Sequence, residues 1–273
     1  MMAPLMTLLT DFGYQDGYVG VMKGVIAGIC PAARLIDLTH SVPPQNIAAA
    51  RFTLLNAYRY FPPDTVHLVV VDPGVGTARR AIALQIPQGY LVGPDNGVLS
   101  GVVDAVGAIA AVELTDPHYW QTAEPSTTFH GRDIFAPVAA HLAAGVSLEK
   151  LGTTISPASL TRIAIPQPDI SDTQVIGHIQ HVDHFGNLVT TIPAAVAQRQ
   201  DWVLQVGQVE MPLGKTYGDV EIGHAIALIG SHGWVEIAIN SSSAQARFRL
   251  AIGDAVYLLA ANAITGRFSS SAN

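Results

Sequence analysis

The chain has 273 residues, 49% hydrophobic and 13% charged, which is enough apolar material for a large core and excludes a disordered chain. Its formal net charge of −7 speaks against nucleic acid as a partner, because such proteins carry a basic face. The single cysteine, Cys30, excludes an internal disulfide and reads as a small buried apolar residue.

The opening "MMAPLMTLLTDFG" has no positive n-region and only a short apolar run, so it reads as a first strand, Leu5–Thr10, and not as a signal peptide. Next, "GYVGVMKGVIAGIC" sets Val19, Met22, Ile26 and Ile29 at helical spacing. "ARLIDLT" reads as a second strand. "PPQNIAAARFTLLNAYRYF" reads as a second helix, entered through prolines and carrying Ile47, Ala50, Leu54 and Tyr58 on one stripe. "VHLVVV" is apolar on both faces, as a central strand under two layers of helices is. "AIALQI" and "GYLVGP" continue the strands, and "GRDIFAPVAAHLAAG" is a later helix with Pro137 in its first turns. This order predicts an α/β domain over residues 1–166, with a mostly parallel sheet flanked by helices.

Two prolines and a polar run in "IAIPQPDISDTQ" (163–174) predict a linker. Beyond it come short strand-like runs: "VIGHIQHVD", "LVTTI", "WVLQVG", "AIALIG", "WVEIAI" and "AVYLLA". "GSHG" (230–233) reads as a hairpin turn. Residues 174–273 are therefore predicted to form a smaller antiparallel β domain, ending in a frayed "SSSAN" tail. No apolar run reaches the ~18 residues of a membrane span. A soluble, cytoplasmic protein is expected, without membrane partners.

Several apparent motifs carry nothing. "DFG" (11–13) follows the first strand and has no kinase context. "GKT" (214–216) lacks the glycine of a phosphate loop, and "GVGTAR" lacks the third glycine of a dinucleotide fingerprint. "HVDH" has two histidines but no further nearby ligand, so no metal site is assigned.

What remains is a set of polar residues where apolar strands end. The first strand gives Asp11. The third runs into "DPGVGTARR", giving Asp72, Arg79 and Arg80. "GPDNG" gives Asp95 and Asn96, and "FHGRD" gives His130, Arg132 and Asp133. Ligands of open α/β sheets bind beyond the carboxyl ends of the strands, so several of these loops are expected to face one cleft. A turn needs neither an acid before its glycines nor a cation after them, which marks Asp72 and Arg79. Asp95 and Asp133 read more simply as turn or cap residues.

"TDFGYQDGYVGVMKG", "HSVPPQNIAAA", "VDPGVGTARR", "PDNG", "FHGRDIFAPVAAHLAAG" and "DHFGNLVTT" together resemble the S-adenosyl-L-methionine (SAM) hydroxide adenosyltransferases, or SAM hydrolases, relatives of the fluorinases and chlorinases. The resemblance spans essentially the whole chain. It implies a homotrimer, with SAM held between the N-terminal domain of one subunit and the C-terminal domain of its neighbour. It also implies hydrolysis of SAM to adenosine and L-methionine, with SAM as substrate and no cofactor. The family's catalytic set falls on Asp72, Arg79 and His130. By the same resemblance Asp11 holds the ribose hydroxyls, Asp183 the methionine amino group and Asn187 the adenine, while Ser231 and Asn240 line the nucleoside end. Halogenating relatives carry tyrosine at positions 72 and 130, serine at 131 and tryptophan at 45. Here these are Asp72, His130, Gly131 and Gln45, which favour water over halide.

The implied step is in-line displacement at the ribose C5′. Two accounts of water activation stand open. In one, Asp72 orients the water and His130 takes the proton. In the other, Arg79 stabilises a hydroxide-like nucleophile while Asp72 and Arg79 hold each other. A charged Arg79 beside Asp72 is expected to lower that acid's pKa and weaken it as a base. A SAM-dependent halogenase and a non-catalytic SAM- or adenosine-binding protein are the alternatives.

Overall fold

The computed structural model describes residues 3–199 and 201–261; the "SSSAN" tail lies outside them. The chain divides into two compact units after Ile163. The predicted linker is not wholly irregular, because a short strand, Asp169–Ile170, lies within it.

The first unit runs β1 (Leu5–Thr10), α1 (Tyr18–Ile29), β2 (Arg34–Thr39), α2 (Ile47–Ala57), β3 (Thr65–Val70), β4 (Ala81–Ile86), β5 (Gly89–Pro94), α3 (Ser100–Val106), β6 (Ala110–Glu113), α4 (Ala136–Ala143) and β7 (Thr153–Ile155). The sheet order is β2-β1-β3-β5-β4-β6-β7. Side chains alternate across it, as strand geometry requires. Met6, Leu8, Leu68 and Val70 meet Met22 and Ile26 of α1 and Ala139 of α4 on one face. Leu9, Val69, Leu84 and Leu91 meet Ala50 and Leu54 of α2 and Val102 of α3 on the other. The expected α2 stripe is buried at Ala50, Leu54 and Tyr58. The cap is Asn46, whose side chain accepts the Ala49 N–H at 3.0 Å.

The sheet is not mostly parallel. β2, β1, β3 and β5 pair in parallel, but β5–β4, β4–β6 and β6–β7 are antiparallel. The physical reason is the connection: only Pro87 and Gln88 separate β4 from β5, which permits a hairpin but no crossover. The two candidate loops after β1 and β3 nonetheless leave neighbouring parallel strands at the same sheet edge.

The second unit contains β8 (Asp169–Ile170), β9 (Gln174–Val182), β10 (Leu188–Pro193), α5 (Ala194–Ala197), β11 (Trp202–Val206), β12 (Val209–Gly214), β13 (Ala225–Ile229), β14 (Trp234–Ile239), α6 (Ala244–Phe248) and β15 (Ala255–Ala260). Its order is β10-β14-β13-β12-β11-β15-β9-β8, and β9 also pairs with β10, so the sheet closes into a barrel. Pairing is antiparallel except between β12 and β13, which are parallel because residues 215–224 cross over between them. Val175, Leu188, Leu204, Val235, Ile237 and Leu258 are among the side chains that fill the interior. The "GSHG" turn joins β13 to β14 as expected, with Gly233 N–H donating to Gly230 C=O at 2.9 Å. Among the described residues no helix is long and apolar enough to cross a membrane.

Candidate active site

In the first unit the site is assembled by three loops. β1 ends in Thr10 and Asp11. The hydroxyl of Thr10 accepts the Phe12 N–H at 3.2 Å, and Gly13 N–H reaches His40 C=O at 2.8 Å, so the chain after Asp11 is tied back to β2. Gln45 sits in the left-handed region at φ 65°, and its N–H donates to Asp11 Oδ2 at 2.7 Å. A non-glycine residue held there is strained by about 1–3 kcal/mol, and such strain gathers at functional loops.

β3 runs through Val71 into Asp72. Asn96 braces this exit by donating from Nδ2 to Val71 C=O at 2.9 Å. The chain then turns, with Val75 N–H donating to Asp72 C=O and Thr77 N–H to Gly74 C=O, each at 3.2 Å. Gly76 lies at φ +75°, and a Cβ there would meet Thr127 C=O at 2.3 Å. The turn therefore packs directly on the chain that leads to His130. That chain is held in turn by Asp133, whose Oδ2 accepts the Ser126 N–H at 2.8 Å while Arg132 pairs with both carboxylate oxygens. His130 precedes a stretch of π-helix, Gly131–Phe135, that runs into α4. Such wide turns often mark functional positions.

The fold-back brings Arg79 onto Asp72. Arg79 Nε donates to Oδ1 at 3.0 Å and Nη2 to Oδ2 at 2.5 Å. The same Nη2 lies 3.0 Å from His130 Nδ1. The Arg79 and Asp72 side chains are only 8% and 5% exposed, and the guanidinium stacks 5.3 Å from the Phe135 ring centroid. An arginine only donates. His130 Nδ1 is therefore the acceptor, the ring is neutral and its proton sits on Nε2. This arrangement disfavours His130 as the base, because a protonated Nδ1 would face a guanidinium.

The electrostatics point the same way. Burial pushes the Asp72 carboxyl above the ordinary carboxylate range and outweighs the lowering by Arg79, contrary to the sequence-based expectation. Burial, and then the Arg79 charge, lower the His130 pKa. A cavity of about 400 Å³ is lined by Asp11, Tyr18, Gln45, Asp72, Phe129 and His130 among others, a size that suits a small-molecule ligand. Arg79 stands behind Asp72 and is not on the cavity wall.

Asp95 and Arg80 do not reach this cavity. Arg80 pairs with Asp95 Oδ2 and donates to Ser159 C=O, while Asp95 Oδ1 accepts the Thr161 N–H at 2.8 Å. They stitch the segment 159–161 to the sheet.

In the second unit a cavity of about 580 Å³ is lined by Phe185, Asn187, Tyr217 and Asn240, with Ser241–Ser243 on its rim. Asn187 Nδ2 donates to Asp183 Oδ2 at 2.9 Å, and Asn240 Nδ2 donates to Val220 C=O at 2.8 Å. Each amide nitrogen spends one of its two N–H groups on these bonds, and Asn240 Oδ1 accepts the Ser241 hydroxyl at 3.1 Å. Asp183 does not line the cavity. Its Oδ1 accepts the Phe185 and Asn187 N–H groups and shapes the 183–187 turn. Ser231 is exposed at the hairpin and does not line that cavity. Phe185 and Tyr217 were not singled out from sequence. An exposed aromatic beside an Asx turn is the only signal Phe185 gives, and Tyr217 gives none. Among the described residues no group of three or more His, Cys, Asp or Glu is disposed to hold a metal ion.

The chain matches the SAM hydroxide adenosyltransferase N-terminal domain over residues 6–152 and the C-terminal domain over 177–257. It is 41% identical over 252 residues to an (R)-S-adenosyl-L-methionine hydrolase of Salinispora tropica, covering 92% of this chain and 96% of that protein. A protein of the same name from Thermus thermophilus is 38% identical over 259 residues, with 92% and 98% covered. The fluorinase of an Actinoplanes species is more distant, 30% identical over 285 residues with 92% and 95% covered. A solved structure, of an uncharacterized conserved protein from Thermotoga maritima, superposes with a TM-score of 0.86 at 40% identity, covering 93% of this chain and 99% of that one.

Proposed function

Because this chain belongs to the SAM hydroxide adenosyltransferase family, we propose that it hydrolyses SAM to adenosine and L-methionine. The relatives named for the (R) isomer make the (R)-sulfonium epimer the substrate we assign.

The observation that carries the mechanism is the Arg79 fork, which holds Asp72 and His130 Nδ1 together at the cavity. In our reading a water accepts a hydrogen bond from His130 Nε2–H and donates one to Asp72. Its oxygen attacks C5′ opposite the sulfur. The C5′–S bond breaks, its electron pair goes to sulfur, and methionine leaves neutral; the water's proton passes to Asp72. Arg79 keeps both partners oriented. General-base help of this kind contributes about 10²–10⁴ in rate. The sulfonium charge disappears in the transition state, so holding that cation tightly at the reacting centre would favour the ground state. Alignment matters more. Asp11, fixed by the Gln45 amide, suits the ribose diol. The Asn187 and Asn240 carboxamides, both on the wall of the second cavity, suit the nucleoside. Asp183 and Ser231 keep the roles the family implies, toward the methionine amino group and the nucleoside end. A buried anion at Asp72 repels a halide, which sets the fluorinase-like reaction aside. The reaction needs no cofactor in this account.

A homotrimer with sites shared between neighbouring subunits is part of the same proposal, as is a cytoplasmic location. The trimer is supported by two open cavities that each hold only some of the expected contacts. Light scattering checks it: a fully active monomer would rule it out. The main test is incubation of the purified protein with SAM in ¹⁸O water, followed by chromatography. Adenosine labelled at its 5′ oxygen, with methionine, is expected. No enzyme-dependent adenosine, or label elsewhere, would overturn the assignment.

A further inference from the structure

The second unit holds a buried carboxylate that none of these roles uses. Glu236 lies on β14, and its side chain is 5% exposed. Its neighbours Val235 and Ile237 face the barrel core, so Glu236 faces the other way, with Ala238. Residues of the β12–β13 crossover cover that face: Val220 packs on Ala238 and its neighbours, and Tyr217 reaches Glu236.

A buried carboxylate is costly unless hydrogen-bonded, so its partners are informative. Glu236 Oε1 accepts the Tyr217 hydroxyl at 2.8 Å. Oε2 lies 3.1 Å from His232 Nε2. The Trp234 N–H donates to His232 Nδ1 at 3.2 Å, which leaves the ring proton on Nε2, where it donates to Glu236. The fit is close: a Cβ on Gly230 would come within 2.4 Å of the His232 ring and 2.9 Å of Glu236 Oε2. One carboxylate thus ties two separate loops, the crossover carrying Tyr217 and the hairpin carrying Ser231.

Tyr217 lines the second-unit cavity together with Phe185, and the two are 45% and 74% exposed. Glu236 does not line that cavity. The hydroxyl is therefore the anchored end of Tyr217, and the ring is the part offered to a ligand. A fixed ring receives a flat base without the entropy cost of ordering a loose one.

We propose that Glu236 is a positioning residue for substrate binding, which fixes the Tyr217 ring as a wall of the nucleoside cavity and, through His232, holds the Ser231 hairpin in register with it. This rests on assigning that cavity to the nucleoside.

The two arms separate by mutation. Tyr217→Phe keeps the ring and removes its anchor. Glu236→Gln still accepts from Tyr217, but its amide turns a donor toward the donor on His232. Each variant is expected to raise KM for SAM on the order of tenfold, the equivalent of one charge-assisted hydrogen bond. The kcat stays within about twofold, because uniform binding is lost while the reacting centre is untouched. Adenosine affinity by calorimetry falls by the same factor. The double variant is expected to be non-additive, since both changes act through one carboxylate. Tyr217→Phe alters a partly exposed side chain, so it tests the idea even where Glu236→Gln melts early. Wild-type protein that cleaves SAM, with variants whose KM and adenosine affinity are unchanged or whose kcat alone falls, overturns the role of Glu236. Wild-type protein that neither cleaves SAM nor binds adenosine overturns the cavity assignment with it.

Discussion

A single nitrogen, Arg79 Nη2, lies 2.5 Å from Asp72 Oδ2 and 3.0 Å from His130 Nδ1. It joins residues 58 positions apart and fixes the histidine tautomer. Lysine carries the charge but not the fork, so it cannot serve both partners in this geometry. Arg79→Lys is expected to lower kcat/KM on the order of 10²-fold, and Asp72→Asn by about 10²–10⁴. Steady-state kinetics on both variants check this. Near-wild-type turnover in Arg79→Lys would mean that charge alone suffices.

The pH profile follows from the same trio. The active form needs Asp72 ionised and His130 neutral. Burial raises the Asp72 pKa, while burial and Arg79 lower that of His130. Both groups reach their active forms as pH rises. The kcat/KM is therefore expected to climb through the acid range, above the usual carboxylate region, and then hold a plateau through neutrality. A second limb falling between pH 6.5 and 8 would contradict this, because it would require a protonated His130.

Much of this was legible in the sequence, for a physical reason. Asp72, Arg79 and His130 interrupt apolar runs, and a buried acid, a glycine turn and a cation have no use in a plain loop. Strand and helix positions followed from periodicity. Three things were not legible. The antiparallel half of the first sheet depends on a two-residue turn, Pro87-Gln88, that contains no glycine. The rise in the Asp72 pKa depends on burial, which no local pattern records. The Tyr217 hydroxyl is anchored by Glu236, nineteen residues away on β14, a pairing no local pattern records.

Gly76 and Gly13 separate two costs. Both have positive φ, +75° and +67°, but a Cβ at Gly13 meets nothing within 4 Å, while one at Gly76 meets Thr127 C=O at 2.3 Å. Gly13→Ala is expected to cost about 1–2 kcal/mol, the backbone strain alone. Gly76→Ala adds a clash with backbone, and relief requires the Asp72 turn to move off the His130 chain. It is expected to lose activity as well as stability. Thermal melts with parallel assays decide it; equal effects at the two positions would mean that the loops are not in contact.

Acid is expected to weaken the fold through His67. This residue on β3 is 1% exposed, with Nδ1 2.8 Å from the Thr7 hydroxyl across the sheet. Burial lowers its pKa to about 4. The unfolded chain binds its proton near pH 6.5, and the folded chain binds it only near 4. Between those values the unfolded state holds more protons, so stability rises with pH there. The contribution is complete above pH 6.5 and is lost as pH falls toward 4, with an upper limit of roughly 3 kcal/mol. His67→Gln does not titrate and keeps a polar group for Thr7. It is expected to be less stable than wild type at pH 7.5, yet to lose less stability between pH 6.5 and 4.5. Denaturant midpoints at the two pH values measure the difference, and an equal loss in both proteins would assign the acid sensitivity to other groups.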